Sequence, residues 1–337
     1  MIIDVHGHYT TAPPDLRAWR QEQKDANAPI SRKVNISDDE IVDTLEKNQL
    51  KLQRDRGTDL ALFSPTAGGM EHHVGDASVS LQWTQTVNDL INRVCNLYPD
   101  SFIPVCQIPQ SPGVSPANCI EELERCVNEL GFVGCNVNPD PSDGYWTDPP
   151  MTDKWWYPLY EKMVELDLPG LLHGGPYYYS REMEVSVYPG EVTIGGWALV
   201  SSPQVFKDFP NLKIIVGHGG GFMPYQFGRA RNDRLVAMAA DPSLESFEES
   251  IARLYFDTVI YNPESVEYMI DVVGVGHTLF GTDKPASGDV IDPKNGRPMN
   301  DIKNYIDAIP WLTDADRYAI YEGNARQLFS RLKLPAA

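Results

Sequence analysis

The sequence predicts an α/β fold of the (β/α)8 TIM-barrel class, as a single domain over residues 1–337. Two observations favour this fold. Eight short apolar runs alternate with amphipathic helical stretches, and most runs are continuously apolar, as strands covered on both faces require. No glycine-rich dinucleotide fingerprint follows the first run, which disfavours a doubly wound sheet. Segments 9–36 and 176–192 are predicted to be long loops after strands one and five, on the face where barrels carry their active sites.

The predicted strands are spaced along the whole chain. They span 1–8, 60–65, 103–109, 132–139, 168–175, 212–220, 254–261 and 277–285. Between them, Ser37 and Glu40 form a capping-box pattern that predicts a helix continuing to Gly57. Thr313 is the predicted N-cap of the last helix.

Composition narrows the functional class. The net charge of −19 argues against nucleic acid or an anionic membrane as a partner. The five cysteines are odd in number and contain no CxxC pair, so neither a disulfide framework nor a zinc knuckle is predicted.

The sequence shows no signal-peptide pattern and no apolar run long enough to span a membrane, so we expect a cytoplasmic protein. We also expect a homo-oligomer, either a dimer or a tetramer, that acts on a small molecule.

Four of the seven histidines lie at the carboxyl ends of predicted strands. His6 and His8 end strand one, His173 ends strand five, His218 ends strand six, and Asp283 ends strand eight. In a barrel these ends meet at one mouth. Three imidazoles and a carboxylate are ligands that zinc takes at a catalytic site with an open position. We therefore predict one divalent ion, zinc or alternatively manganese, bound by His6, His8, His173 and Asp283; a buried polar cluster is the other interpretation.

The remaining polar residues near strand ends indicate a function less specifically than these four do. Asp4 alternates with His6 and His8, so a regular strand would project all three from one face. His72 and His73 follow strand two, where a substrate contact and a loop-anchoring role fit equally well. His277 precedes strand eight, at the opposite end of the barrel, and is predicted to be structural.

The HxH on strand one, the histidines on strands five and six and the aspartate on strand eight resemble the metal-dependent amidohydrolase superfamily, in its single-metal decarboxylase and hydratase branch. Longer segments, including "IIDVHGHYTTAPP" and "HGGGFMPYQFGRARND", resemble the 4-oxalomesaconate hydratases of that branch. The resemblance implies a metal-dependent lyase that adds water to a C=C bond of a small unsaturated or aromatic carboxylic acid in aromatic-compound catabolism. Asp283 stands where those hydratases carry glutamate, and Thr66 stands where they carry a basic residue.

The resemblance also implies roles for individual residues. His218 and Asp283 are the predicted catalytic residues, and Arg229 is a candidate to bind a substrate carboxylate. Tyr178 and Tyr188, in the tyrosine-rich segment after strand five, are candidate substrate contacts together with His72 and His73. Three alternatives to a hydratase stay open: a non-oxidative decarboxylase (a carboxy-lyase), a hydrolase of a lactone or amide, and a metal-binding barrel without catalytic activity.

Overall fold

A computed structural model describes residues 1–175, 188–202, 204–285 and 288–334. The predicted TIM barrel is confirmed, with each strand parallel to the next in chain order. The strands are β1 (Ile3–His8), β2 (Leu60–Ser64), β3 (Phe102–Gln107), β4 (Gly134–Val137), β5 (Gly170–Leu172), β6 (Ile214–Val216), β7 (Leu254–Asp257) and β8 (Thr278–Leu279).

Backbone hydrogen bonds join the last strand to the first. The Val5 N–H donates to the Phe280 carbonyl at 2.8 Å, and the Asp283 N–H donates to the His6 carbonyl at 2.9 Å. The segment that follows β8 therefore lies along β1 and completes the barrel. As a result, the carboxyl ends of β1 and β8 meet at the same part of the barrel mouth.

Helices surround the barrel. Those of the described residues are α1 (Pro14–Ala26), α2 (Asp38–Lys47), α3 (Gln49–Arg56), α4 (Ala77–Leu97), α5 (Ile120–Glu124), α6 (Tyr157–Glu165), α7 (Tyr188–Ser201), α8 (Gln204–Asp208), α9 (Met223–Ala240), α10 (Phe247–Ile251), α11 (Pro263–Val273), α12 (Ile302–Asp307), α13 (Asp314–Tyr318) and α14 (Asn324–Leu328). Among them we find none with an apolar stretch sufficient to cross a bilayer. The five cysteines are buried free thiols.

The helix predicted to run from Ser37 to Gly57 is two helices. The capping box at Ser37 is present, and Gly57 ends the second helix with a φ of 68°. Between them, Asn48 leaves helical geometry (φ −125°, ψ −89°) and its side chain donates to the Thr44 carbonyl at 2.8 Å. An asparagine that bonds to the backbone in this way competes with the helix and divides it into α2 and α3. Thr313 is an N-cap as predicted, but the predicted last helix is divided: Thr313 caps α13, and a π-helical turn (Ala319–Gly323) joins α13 to α14.

The amino end of the barrel is filled with apolar side chains. Residues near the starts of the strands, such as Ile3, Leu60 and Val133, form a buried cluster with Leu328 and Phe329 from the C-terminal helix and the residue after it. Phe329 packs directly against the backbone at Gly134, where a Cβ would lie only 3.0 Å from its ring. This end is therefore closed by packing and leaves the opposite end for a site.

Candidate metal centre

A β-bulge in β1 determines which side chains reach the mouth. Asp4 pairs with Ala61 and Gly7 pairs with Phe63, so β1 uses one residue more than β2 over this stretch. Asp4 consequently does not join the histidines, contrary to the alternation predicted for a regular strand. Its carboxylate instead accepts a hydrogen bond from Thr282 Oγ1 at 2.5 Å.

The structure brings the four predicted metal ligands together. His8 Nε2 lies 3.1 Å from His6 Nε2 and 3.1 Å from His173 Nε2. Asp283 Oδ1 lies 3.9 Å from His6 Nε2 and 3.7 Å from His8 Nε2. One ligand atom from each of the four residues lies within 4.8 Å of the others, although the residues come from three distant parts of the chain.

The other nitrogen of each ring is bound outside this cluster. The pairs are His6 Nδ1 with Asp257 Oδ2 (2.6 Å), His8 Nδ1 with Ser64 Oγ (2.7 Å) and Pro65 O (3.2 Å), and His173 Nδ1 with Gly174 O (2.9 Å). Carboxylate and carbonyl oxygens only accept hydrogen bonds, so each Nδ1 carries the proton of its neutral ring. The three Nε2 lone pairs therefore face one another.

These residues fit a divalent metal ion. Burial lowers the pKa of His6, His8 and His173, which keeps the rings neutral, the form that binds a metal. Facing lone pairs in a buried site repel one another unless a cation lies between them. Three imidazole nitrogens with a nearby carboxylate match the donor set of a catalytic zinc site, and the bound Nδ1 atoms fix the ring orientations that such a site needs.

Asp257, at the end of β7, is a part of the site that sequence reasoning missed. Its side chain is fully buried, and Oδ1 accepts hydrogen bonds from the backbone N–H groups of Gly219 (2.9 Å) and Val259 (3.0 Å) while Oδ2 binds His6. An acidic residue directly after an apolar strand was the signal that identified Asp283. The same signal was present in "LYFDTVIY".

His218 and Asp283 share an unusual backbone conformation. Their φ angles are 52° and 53°, in the left-handed region that costs a residue with a side chain roughly 1–3 kcal/mol. The ring centroid of His218 lies 4.9 Å from that of His173 and 5.2 Å from that of His6. Backbone strain of this kind, at the ends of β6 and β8, directs both side chains into the mouth.

A pocket of about 570 Å³ opens above the cluster. His8, His173, His218 and Asp283 form its polar floor. The described walls are mostly apolar with a few hydroxyl groups, and they include Thr10, Thr66, Ala67, Gly68, Phe222, Tyr225, Val259, Ile260, Tyr261, Ser265 and Met269. No lysine or arginine is present among the described residues that line this pocket.

Other predicted substrate contacts lie away from this pocket. Arg229 is exposed on α9 and lines a separate groove with Trp197 and Phe247, so the structure does not bring it to the histidines. His72 is buried, with Nδ1 donating to the Gln110 carbonyl at 3.1 Å, which is a loop-anchoring contact.

The remaining histidines and tyrosines are placed as follows. His73 Nδ1 lies 3.7 Å from Asp143 Oδ2, at a partly exposed position. His277 Nδ1 donates to the carbonyl of Leu254, the first residue of β7, and thus lies at the amino end as expected. Tyr178 falls outside the described residues. Tyr188 begins α7, but the described structure does not extend to its side chain.

Known proteins are similar to this chain over most of its length. The amidohydrolase family profile matches residues 3–331. The chain is 45% identical over 336 residues to 2-keto-4-carboxy-3-hexenedioate hydratase of Sphingobium sp., covering 98% of this chain and 97% of the relative. It is 27% identical over 303 residues to γ-resorcylate decarboxylase of Rhizobium sp., covering 85% and 87%.

A solved structure extends the similarity to three dimensions. The crystal structure of 4-oxalomesaconate hydratase from Rhodopseudomonas palustris superposes with a TM-score of 0.88 at 42% identity, covering 98% of this chain and 96% of that one. Sequence and fold therefore agree over nearly the full length of the chain, and the protein belongs to the amidohydrolase family.

Proposed function

We propose that this protein is a zinc-dependent hydratase (a hydro-lyase) that adds water to a C=C bond of a small unsaturated carboxylic acid formed in aromatic-compound catabolism. The observation that carries the proposal is the convergence of three neutral imidazoles and Asp283 below a pocket that also contains His218. The similarity to two hydratases, at 45% and 42% identity over nearly the whole chain, supports hydration as the reaction.

His6, His8, His173 and Asp283 are the residues that would hold the ion. We propose zinc because nitrogen donors predominate, with manganese as the alternative. A divalent ion at this position supplies positive charge that makes water more acidic and polarises a substrate oxygen. Asp257, Ser64 and the carbonyls of Pro65 and Gly174 hold the rings in the required tautomer.

Two side chains then move the protons of the addition. The Asp283 carboxylate accepts a proton from the attacking water as the new C–O bond forms. His218 donates a proton to the neighbouring carbon as the π bond breaks, so that the elements of one water molecule are added in total. Both groups lie in the pocket, and histidine is the side chain that enzymes use most often as a general acid or base.

A second candidate function is non-oxidative decarboxylation. It is favoured by the similarity to γ-resorcylate decarboxylase and by the apolar, partly aromatic walls of the pocket, which suit an aromatic acid. In this reaction Asp283, in its protonated form, gives a proton to the ring carbon while the C–C bond to the carboxylate breaks and carbon dioxide leaves.

The experiment that separates these functions is incubation of the zinc-loaded protein with 4-oxalomesaconate and, separately, with γ-resorcylate. Hydration predicts a product heavier by one water, with loss of the conjugated absorbance, from the first compound only. His218→Asn should retain bound zinc and lose this turnover. Release of carbon dioxide would instead establish the decarboxylase, and inertness towards 4-oxalomesaconate would contradict the proposed hydratase.

A further inference from the structure

Asp4 is a buried carboxylate beside the proposed metal centre that the proposed reaction does not use. Next to the bulge in β1, its side chain contacts the segment that follows β8 and not the other histidine rings. Only 1% of Asp4 is exposed, so bulk water does not satisfy its oxygens. A buried carboxylate costs free energy unless hydrogen bonds or a counter-charge satisfy it, so the contacts of Asp4 indicate its role.

Three hydrogen bonds converge on this carboxylate, from β1 and from the segment after β8. Asp4 Oδ1 accepts the backbone N–H of His6 at 3.1 Å and that of Thr282 at 3.1 Å. Asp4 Oδ2 accepts the Thr282 hydroxyl at 2.5 Å. Asp4 therefore binds the backbone of one proposed metal ligand, His6. It also binds both the backbone and the side chain of the residue directly before another proposed ligand, Asp283.

The residue that follows Asp283 is held as well. Lys284 is 7% exposed, and its ammonium donates to Thr58 Oγ1 at 2.7 Å and lies 3.9 Å from Asp4 Oδ2. Asp4 thus also supplies negative charge close to a buried ammonium, which would be costly to leave unpaired. Asp283 is consequently anchored through both of its chain neighbours, while its own N–H donates to the His6 carbonyl at 2.9 Å.

This anchoring explains how Asp283 keeps an unfavourable backbone. Its φ of 53° is a conformation that a residue with a side chain retains only where the surrounding structure holds it. The same segment also packs closely against β1, since a Cβ added at Gly281 would lie 3.1 Å from the Cβ of His6. The contacts of Asp4 and this close packing together hold the segment after β8 against β1.

We infer that Asp4 is a positioning residue for metal binding. By joining the His6 backbone to Thr282, it holds His6 Nε2 and Asp283 Oδ1 at their separation of 3.9 Å. The inference rests on the proposed metal centre and adds to it a residue that contacts neither the ion nor the substrate. Residues that orient metal ligands contribute to affinity because the ligands are then in place before the ion binds. Loss of the Asp4 contacts should therefore weaken zinc binding although all four proposed ligands remain.

The test is the zinc affinity of the purified full-length protein, measured by competition with a chelator, which does not depend on turnover. Asp4→Ala removes all three hydrogen bonds and should raise the Kd of zinc about tenfold or more. Thr282→Val removes only the hydroxyl contact and should raise the Kd by a smaller factor; it decides the question if Asp4→Ala does not fold. Thr282→Ser keeps the hydroxyl and should keep the wild-type Kd.

Asn324→Ala is the matched control, because it removes two hydrogen bonds at the amino end of β8. The buried Asn324 side chain donates to the carbonyls of Thr278 at 2.7 Å and Val275 at 2.8 Å. This substitution should lower the thermal midpoint of the metal-free protein and leave the Kd of zinc unchanged. A positioning role is thereby separated from a general loss of stability.

A folded Asp4→Ala protein that binds zinc as tightly as wild type would overturn the inference, and so would wild-type affinity in Thr282→Val if Asp4→Ala does not fold. An Asn324→Ala protein whose Kd rises as much as that of Asp4→Ala would overturn it too. In each of these cases wild type still binds zinc, so the proposed metal centre stands and only the role of Asp4 is lost. A wild-type protein that binds no zinc would contradict the metal centre itself, and the inference with it.

Discussion

The two ends of the barrel are built on opposite physical principles. At the amino end, apolar residues such as Val133 and Phe329 fill the interior by packing. At the carboxyl end, three buried imidazoles face one another, and His218 and Asp283 adopt strained left-handed backbones. The arrangement of residues at the mouth thus lowers the stability of the fold, whereas packing at the amino end raises it. Substitutions at the carboxyl end should therefore reduce metal binding and activity, whereas substitutions at the amino end should reduce stability.

The largest expected effect is at the mouth. His173→Ala removes one of the three Nε2 atoms that we propose bind the metal, so the metal should be lost and turnover should fall by about three orders of magnitude or more. The thermal midpoint of the metal-free variant should stay close to that of metal-free wild type, because the ring that is removed faces the other histidine side chains and is not part of the apolar core. Elemental analysis, turnover and thermal unfolding check this. A variant that keeps stoichiometric metal would contradict the proposed ligand set.

The closed end should show the reverse behaviour. Phe329→Ala leaves a cavity against Gly134 and should lower the free energy of unfolding by ~3–5 kcal/mol. Turnover per folded molecule at room temperature should not change, since Phe329 is far from the ligands. Chemical denaturation and an activity assay on the same sample measure both. Val290→Ala, at a position that is 74% exposed, is the control and should change neither quantity. Loss of turnover without loss of stability in Phe329→Ala would remove the distinction between the ends.

A loop at the carboxyl end of the barrel should also be sensitive to acid, because it contains the buried His72. Burial lowers the pKa of His72 from 6.5 to about 4. Below pH 6.5 the unfolded chain takes up this proton before the folded protein does, so stability falls as the pH drops from 6.5 to 4, by about 3 kcal/mol for this residue. Denaturation of metal-free protein across that range should show a shallower loss in His72→Gln than in wild type. Equal slopes in the two proteins would refute the assignment.

A smaller effect is expected one contact away from the metal ligands. Asp257→Asn keeps the shape of the side chain but removes the charge that binds His6 Nδ1, so zinc affinity should fall by roughly 10–100-fold. Competition with a chelator measures the change. Ser64→Ala should weaken zinc less, since His8 Nδ1 retains the Pro65 carbonyl as an acceptor. If Ser64→Ala proved the more damaging of the two, the importance given to the Asp257 charge would be wrong.

The sequence allowed the clustering of His6, His8, His173 and Asp283 to be predicted, because each lies at or beyond the carboxyl end of a strand and a barrel brings all these ends to one mouth. It did not reveal the role of Asp257, which depends on a contact with His6 across 251 positions of the chain. The bulge that separates Asp4 from the histidines depends on pairing with β2, and strand periodicity does not encode it. Arg229 lies on a helix whose orientation is fixed by tertiary packing. The sequence alone therefore could not predict how far this side chain lies from the pocket.

The most direct test of the metal centre is anomalous diffraction from crystals of the zinc-loaded protein, recorded at the zinc absorption edge. We expect one strong peak within about 2.0–2.2 Å of Nε2 of His6, His8 and His173 and of a carboxylate oxygen of Asp283. An absent peak at this position, or a zinc ion bound by other residues while the three rings contact only solvent, would contradict it.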